Sequence, residues 1–191
     1  MKRERASNLF PLLLILALAA ASLWLERAVQ EPEHDRSAKM RHDPDFIVEN
    51  FGIVKMNAAG RPEYTLSAER MLHYPDDEST SIVAPRVVQR HDNAAPIVIS
   101  AERGLVSKNG DEASFSGGVV VVREAGHGRD ELRIQTDYLL VLPDLDLART
   151  DKPVVITEGR SRLAGTGMEL NNKTRQFTLR SQVRGSFDVG K

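Results

Sequence analysis

The 191-residue sequence contains no cysteine. This absence excludes disulfide bonds, thiol catalysis, cysteine-based zinc sites and a lipidated N-terminal cysteine. Positive charge is not in excess either, because 26 Lys and Arg residues are balanced by 27 Asp and Glu residues, which gives a formal net charge of −1. A nucleic-acid-binding domain normally carries a basic face. We therefore expect no nucleic-acid partner.

Signatures of metal binding and dinucleotide binding are also missing. The five histidines are scattered without the spacing of a metal-ligand pair, and Gly165-x-Gly167 lacks the third glycine of a dinucleotide fingerprint. No group of polar residues has the pattern of a catalytic site. We therefore expect no enzyme activity, no cofactor and no metal.

The N-terminal segment has a different composition from the rest of the chain. Leu9–Leu25 is a run of seventeen residues without a charge, and Lys2, Arg3 and Arg5 precede it. As a helix this run is about 26 Å long, close to the ~30 Å hydrocarbon thickness of a bilayer. Basic residues before a span keep the N-terminus in the cytoplasm, so the remainder is expected to be exported.

A cleaved signal peptide is the alternative interpretation, because Ala19 and Ala21 form an A-x-A pattern. That pattern lies inside the apolar run, which continues to Leu25, and this favours an uncleaved anchor. The predicted organisation has four parts: a cytoplasmic N-terminus (1–8), a transmembrane helix (9–25), a polar linker (26–45) and an exported domain (46–191).

Apolar and polar residues alternate beyond residue 45. Tyr64-x-Leu66-x-Ala68 and Ile97-x-Ile99-x-Ala101 are examples. A period of two in many short segments, separated by Gly, Pro, Asn and Asp, is typical of β-strands. The predicted fold class is therefore all-β.

The alternating pattern also recurs as a unit of 25 residues. Units 64–88 and 97–121 share an apolar-x-apolar-Ser-Ala-Glu-Arg start, a polar turn, a second strand and a Pro or Gly before a valine run. Unit 132–156 fits the same template, and 161–185 is a weaker copy. In each unit, one residue interrupts the alternation 19 positions after the same point in the first strand. These break residues are Pro85, Gly118, Pro153 and Gln182. Stacked supersecondary units produce such spacing, which predicts an elongated antiparallel β-jelly roll, with a parallel β-helix as the alternative.

One segment resembles a known family. Gly60–Met71, which reads Gly-Arg-Pro-x-Tyr-x-Leu-Ser-Ala-Glu-Arg-Met and is followed by Tyr74-Pro75-Asp76-Asp77, is similar to the LptC family of lipopolysaccharide-export components. The resemblance covers essentially the whole chain. It implies a single-pass protein of the inner membrane whose periplasmic domain is a β-jelly roll of the OstA/LptA type. It also implies that the domain receives lipopolysaccharide from a membrane ABC transporter and passes it to a soluble LptA-type jelly-roll protein, without catalysis or metal.

An apolar slot between two sheet faces would shield acyl chains from water. The candidate slot residues are those of inward parity in the repeat; an ordinary dry core is the alternative for each of them. They are Ile53, Tyr64, Leu66, Ile82, Ile97, Ile99, Phe115, Val119, Val121, Leu132, Ile134, Leu147, Val154, Ile156, Phe177 and Leu179.

The first strand (46–56) and the last (176–187) leave open sheet edges, and open edges invite pairing with another chain. The candidate partner contacts are Phe51, Gly159, Phe177, Leu179 and Val183. Self-association and a capped edge remain alternatives, and Gly159 could be an ordinary turn glycine. An adaptor that docks β-domains without binding lipid is the second functional hypothesis.

Overall fold

A computed structural model describes residues 4–29, 42–90, 94–126, 128–171, 173–174 and 176–187. The chain divides into two compact units, Met1–His42 and Asp43–Lys191. The first unit contains one helix, α1 (Glu4–Val29), rich in the strong helix formers alanine and leucine. It extends past the predicted span at both ends, so Glu26–Val29, predicted as linker, is helical. Residues 1–3 and 30–41 of the predicted N-terminus and linker lie outside the described residues.

Among the residues that the structure describes, no helix combines the length and the apolar character that a membrane span requires.

The second unit is built from β-strands, and every pairing between them is antiparallel. The prediction of an all-β antiparallel fold is confirmed, and the parallel β-helix is excluded. A short 3-10 helix, Pro143–Leu145, lies in one of the connections. The strands are β1 (Phe46–Met56), β2 (Pro62–Tyr74), β3 (Ser79–Val83), β4 (Arg86–Gln89), β5 (Ile97–Ser100), β6 (Arg103–Val106), β7 (Ala113–Arg123), β8 (Leu132–Leu142), β9 (Leu147–Glu158), β10 (Ser161–Asn171) and β11 (Gln176–Ser186).

The sheet branches after β2 and rejoins at β7. Strand β1 pairs with β2, and β2 pairs on its other side with β4 at its first half and with β3 at its second. Strand β4 then pairs with β5, and β3 with β6; β5 and β6 both pair with β7. From β7 the sheet continues in chain order through β8, β9 and β10 to β11.

The branch arises because β3 and β4 are the two halves of one bent strand, as are β5 and β6. Corresponding bends cross the long strands: the pairing of β7 with β8 shifts register between Ser116 and Val119, and that of β8 with β9 shifts between Thr136 and Leu140. We call this row of corners the line of bends. It divides the sheet into a first half-sheet, which contains β4 and β5, and a second half-sheet, which contains β3 and β6.

The predicted break residues all lie on the line of bends. Ala84, next to Pro85, has a φ of 51°, Gly118 has 54° and Gln182 has 52°, while Pro153 pairs with Thr166 at the register shift between β9 and β10. A residue with positive φ turns the strand, and an irregular pairing increases its local bend. The constant spacing of 19 residues is therefore the distance along the chain from a fixed position in the first strand of a unit to the next bend.

The core lies between the two half-sheets. Its buried members come from both of them, and each contributes about 1.5–3 kcal/mol by leaving water. They are Phe115, Val119, Ile134, Leu139, Val154, Ile156 and Met168.

Candidate functional site

A cavity of about 240 Å³, which we call the slot, lies between the two half-sheets of the second unit. Its inner end reaches the line of bends at Pro85. Gly104 lies against this proline, and a Cβ atom on Gly104 would be 3.3 Å from the proline ring. Of the 25 residues that line it, four carry polar side-chain atoms: Tyr64, Gln89, Ser114 and Asp146. The slot is therefore an apolar space.

Nine of the sixteen candidate slot residues line this space. They come from strands of both half-sheets. For these nine residues, the inward orientation inferred from the repeat agrees with the structure. They are Tyr64, Leu66, Ile82, Ile97, Ile99, Phe115, Val121, Ile134 and Leu147.

The other seven candidates do not line the slot. Four are in or beside the packed core: Val119, Leu132, Val154 and Ile156. Leu179 also packs against the core from β11. Ile53 and Phe177 lie on the edge strands and are 46% and 43% exposed.

The alternation of the sequence missed several residues that line the slot. Four of these in the second half-sheet are Leu139, Val141, Met168 and Leu170. On β8 the inward residues before the bend are Ile134 and Thr136, whereas after the register shift they are Leu139 and Val141. The shift changes which parity faces inward, so a strict period of two fails beyond the bend.

Three of the four polar side chains of the slot lie together at its outer end, which we call the mouth. Tyr64 and Gln89 are cross-strand partners on β2 and β4, and the Gln89 amide donates a hydrogen bond to the Tyr64 hydroxyl oxygen at 3.0 Å. Asp146 follows the 3-10 helix and has a left-handed backbone, with a φ of 51°. At the mouth, polar side chains from the two half-sheets therefore form one cluster.

Burial raises the pKa of Tyr64 above its usual value of 10.0, and the negative charges of Glu63 and Asp146 raise it further. The hydrogen bond from Gln89 acts in the opposite direction. The ammonium group of Lys55 lies 5.4 Å from the ring centroid of Tyr64 and 3.8 Å from the Glu63 carboxylate. Tyr64 is therefore a neutral hydroxyl at physiological pH.

The candidate partner contacts fall at different places. Phe51 is half-buried on β1, opposite Ala68. On β11, Val183 is 53% exposed. Gly159 occupies the tight turn between β9 and β10 with a φ of 56°, and a Cβ atom there would lie 2.2 Å from an Asp130 carboxylate oxygen. The turn therefore requires glycine for a reason internal to the domain.

Comparisons with known proteins add three findings. A family model described as "Lipopolysaccharide-assembly, LptC-related" matches residues 12–188. No curated protein matches the sequence significantly. Among solved structures, the chain is similar to the crystal structure of LptH, the LptA-homologous periplasmic component of the lipopolysaccharide transport device of Pseudomonas aeruginosa. The TM-score is 0.46 and the identity 7%, over 78% of this chain and 97% of that one.

Proposed function

Because the chain belongs to the LptC-related family of lipopolysaccharide-assembly proteins, we propose a specific role for it within lipopolysaccharide transport. The family match confirms the resemblance inferred from the Gly60–Met71 segment. In the proposed role, the chain receives lipopolysaccharide that an inner-membrane ABC transporter has extracted. It then passes the lipid to a periplasmic LptA-type jelly-roll protein for assembly into the outer membrane.

The observation that carries this proposal is the apolar slot between the half-sheets. Exposing a methylene group to water costs about 0.8 kcal/mol, so a chain of a dozen carbons costs roughly 10 kcal/mol. A carrier must replace the membrane interior with an equally apolar surface. The slot, lined by side chains such as Leu66, Ile99 and Phe115, supplies such a surface.

The role requires no bond to be made or broken, so we propose that the chain is not an enzyme and uses neither cofactor nor metal. Transfer follows from the relative affinities of successive slots for the acyl chains. The candidate lipid-contacting residues are then the nine that line the slot, together with Leu139, Met168 and their neighbours.

We further propose that α1 anchors the chain in the inner membrane with its N-terminus in the cytoplasm. The support is the uncharged run Leu9–Leu25 behind the basic residues of the N-terminus. Protease added to spheroplasts should then release the β-domain while leaving a protected N-terminal fragment. Protection of the whole chain would contradict this topology.

The free edge of β11 is the proposed contact for the LptA-type partner. Among the described strands, β11 pairs only with β10, and its side chains Phe177 and Val183 are exposed. An unpaired edge with exposed apolar side chains favours the addition of a strand from another protein. An adaptor that uses this edge without holding lipid is the alternative.

Filling the slot separates the two hypotheses. Ala113 lines the slot and is half-buried, so Ala113→Leu occupies apolar space without removing any core side chain. We expect this full-length variant to lose lipopolysaccharide binding while still capturing the LptA-type partner. Ala58→Leu, in an exposed turn, is the matched control. Lipopolysaccharide binding by neither the wild type nor Ala113→Leu would favour the adaptor, whereas unchanged binding by Ala113→Leu would place the lipid outside the slot.

A further inference from the structure

We propose that Tyr64, positioned by Gln89, donates a hydrogen bond to the acyl carbonyl of a bound lipid and thereby fixes the depth at which its chain enters the slot. The inference rests on the proposed function, since it concerns the same slot. It adds a chemical group of the ligand and the residue that recognises it.

The first support is the separation of polar and apolar side chains along the slot. The side chains of Pro85, Ile82 and Phe115 at the inner end are hydrocarbon. The polar atoms of Tyr64, Gln89 and Asp146 lie at the mouth. A single acyl chain that enters the slot with its terminal methyl group first therefore has its ester or amide carbonyl at the mouth.

The second support is the unused hydrogen-bonding capacity of Tyr64. Its hydroxyl oxygen accepts the bond from Gln89 at 3.0 Å, which leaves the hydroxyl proton as a donor. This hydroxyl donates no hydrogen bond to any other residue that the structure describes. The proton is therefore available to an acceptor at the mouth, and a ligand carbonyl is such an acceptor.

The charges at the mouth decide which acceptor fits. Glu63 and Asp146 both act on Tyr64 as negative charges, and among the described residues Lys55 is the one cation found over its ring. Two negative charges against one positive charge disfavour a lipid phosphate. A neutral carbonyl carries no such penalty, so the ligand class is an acyl ester or amide rather than an anionic headgroup.

The test uses two amphiphiles that differ at one carbon. 1-Monolauroylglycerol carries a carbonyl at the head of its chain, and 1-O-dodecylglycerol has a methylene in its place. Each is titrated against the full-length chain in amphipol by displacement of N-phenyl-1-naphthylamine. We expect Tyr64→Phe to weaken the ester about 3- to 10-fold and to leave the ether unchanged. Tyr138→Phe, which removes a half-buried hydroxyl that does not line the slot, should change neither.

A second readout is insensitive to a purely structural effect. With a ¹³C-labelled carbonyl, the bound ester should show an infrared stretch shifted to lower frequency in the wild type and not in Tyr64→Phe. An equal loss for ester and ether, no loss for either, or an unchanged carbonyl band would overturn the inference while leaving the slot intact. Failure of the wild type to bind either amphiphile would overturn the proposed lipid slot and this inference with it.

Discussion

Thr136 and Pro153 are joined across the line of bends: the Thr136 hydroxyl donates a hydrogen bond to the Pro153 carbonyl oxygen at 2.9 Å. Thr136 is 7% exposed and its neighbour Thr150 is 3% exposed. The Thr150 hydroxyl in turn accepts a hydrogen bond from the Lys152 backbone N–H at 3.1 Å. These two side chains thus bond backbone groups at the register shift between β8 and β9. Among the described residues, no buried side-chain polar atom lacks a partner.

Replacement of Thr136 by valine should destabilise the β-domain by about 1–3 kcal/mol, because the variant keeps the side-chain shape and leaves the Pro153 carbonyl without its donor. Chemical unfolding of the full-length chain measures the effect. Thr178→Val, at an exposed position of β11, is the control and should change stability little. Equal stability of Thr136→Val and wild type would show that this hydrogen bond does not support the bend.

Gly117 and Gly118 provide a matched pair at the bend of β7. Both have positive φ, 79° and 54°, but a Cβ atom on Gly117 would lie 2.5 Å from a Glu102 carboxylate oxygen, whereas one on Gly118 would contact nothing within 4 Å. Gly118→Ala should therefore cost about 1–2 kcal/mol from the left-handed backbone alone. Gly117→Ala should cost more, as measured by thermal unfolding. Equal losses would mean that the Glu102 side chain moves aside freely.

The raised pKa of Tyr64 predicts a pH dependence of stability. Below about pH 10 the tyrosine is protonated in the folded and unfolded states alike, so it contributes no pH dependence there. As the pH rises above 10, the unfolded chain ionises first, and the wild type should lose stability faster than Tyr64→Phe. Chemical unfolding of both proteins at about pH 8 and about pH 11 measures this difference. A parallel decline of the two proteins would contradict the burial of this hydroxyl.

Acidic residues on β11 should weaken the proposed partner contact. Phe177→Glu combined with Val183→Glu places two charges on an edge that would have to enter an interface, where an unpaired charge is costly. We expect capture of an LptA-type protein by the full-length variant to fall at least tenfold, while its lipopolysaccharide binding persists. The same change at Ile47 and Val54 of β1, both exposed, should spare this partner. Undiminished capture by the β11 variant would place the interface elsewhere.

Much of the fold was predictable from the sequence because strand alternation is a local property. The constant spacing to break residues such as Pro85 and Gly118 was also visible in the sequence, and the structure shows that these residues mark the bends, since each corner needs a residue that leaves the regular ladder. The slot lining was only partly predictable. The bend in β8 reverses inward parity between Thr136 and Leu139, and the number of residues absorbed by a bend is set by pairing with neighbouring strands, which one strand's pattern does not specify.

The edge strands departed from prediction for a related reason. Ile53 on β1 and Phe177 on β11 alternate like core residues, yet both are exposed. The sequence of an edge strand shows which face is apolar but not whether another strand layer lies opposite it. Only the position of the strand in the sheet decides that.

Photo-crosslinking from adjacent residues on opposite faces of β8 tests the central claim most directly. Ile134 lines the slot, and the next residue, Gln135, is exposed. With a diazirine amino acid placed at either position of the full-length chain in cells, irradiation should attach lipopolysaccharide to the chain labelled at 134 and not to the chain labelled at 135. Lipopolysaccharide attached equally at both positions, or at neither, would contradict a lipid-holding slot between the half-sheets.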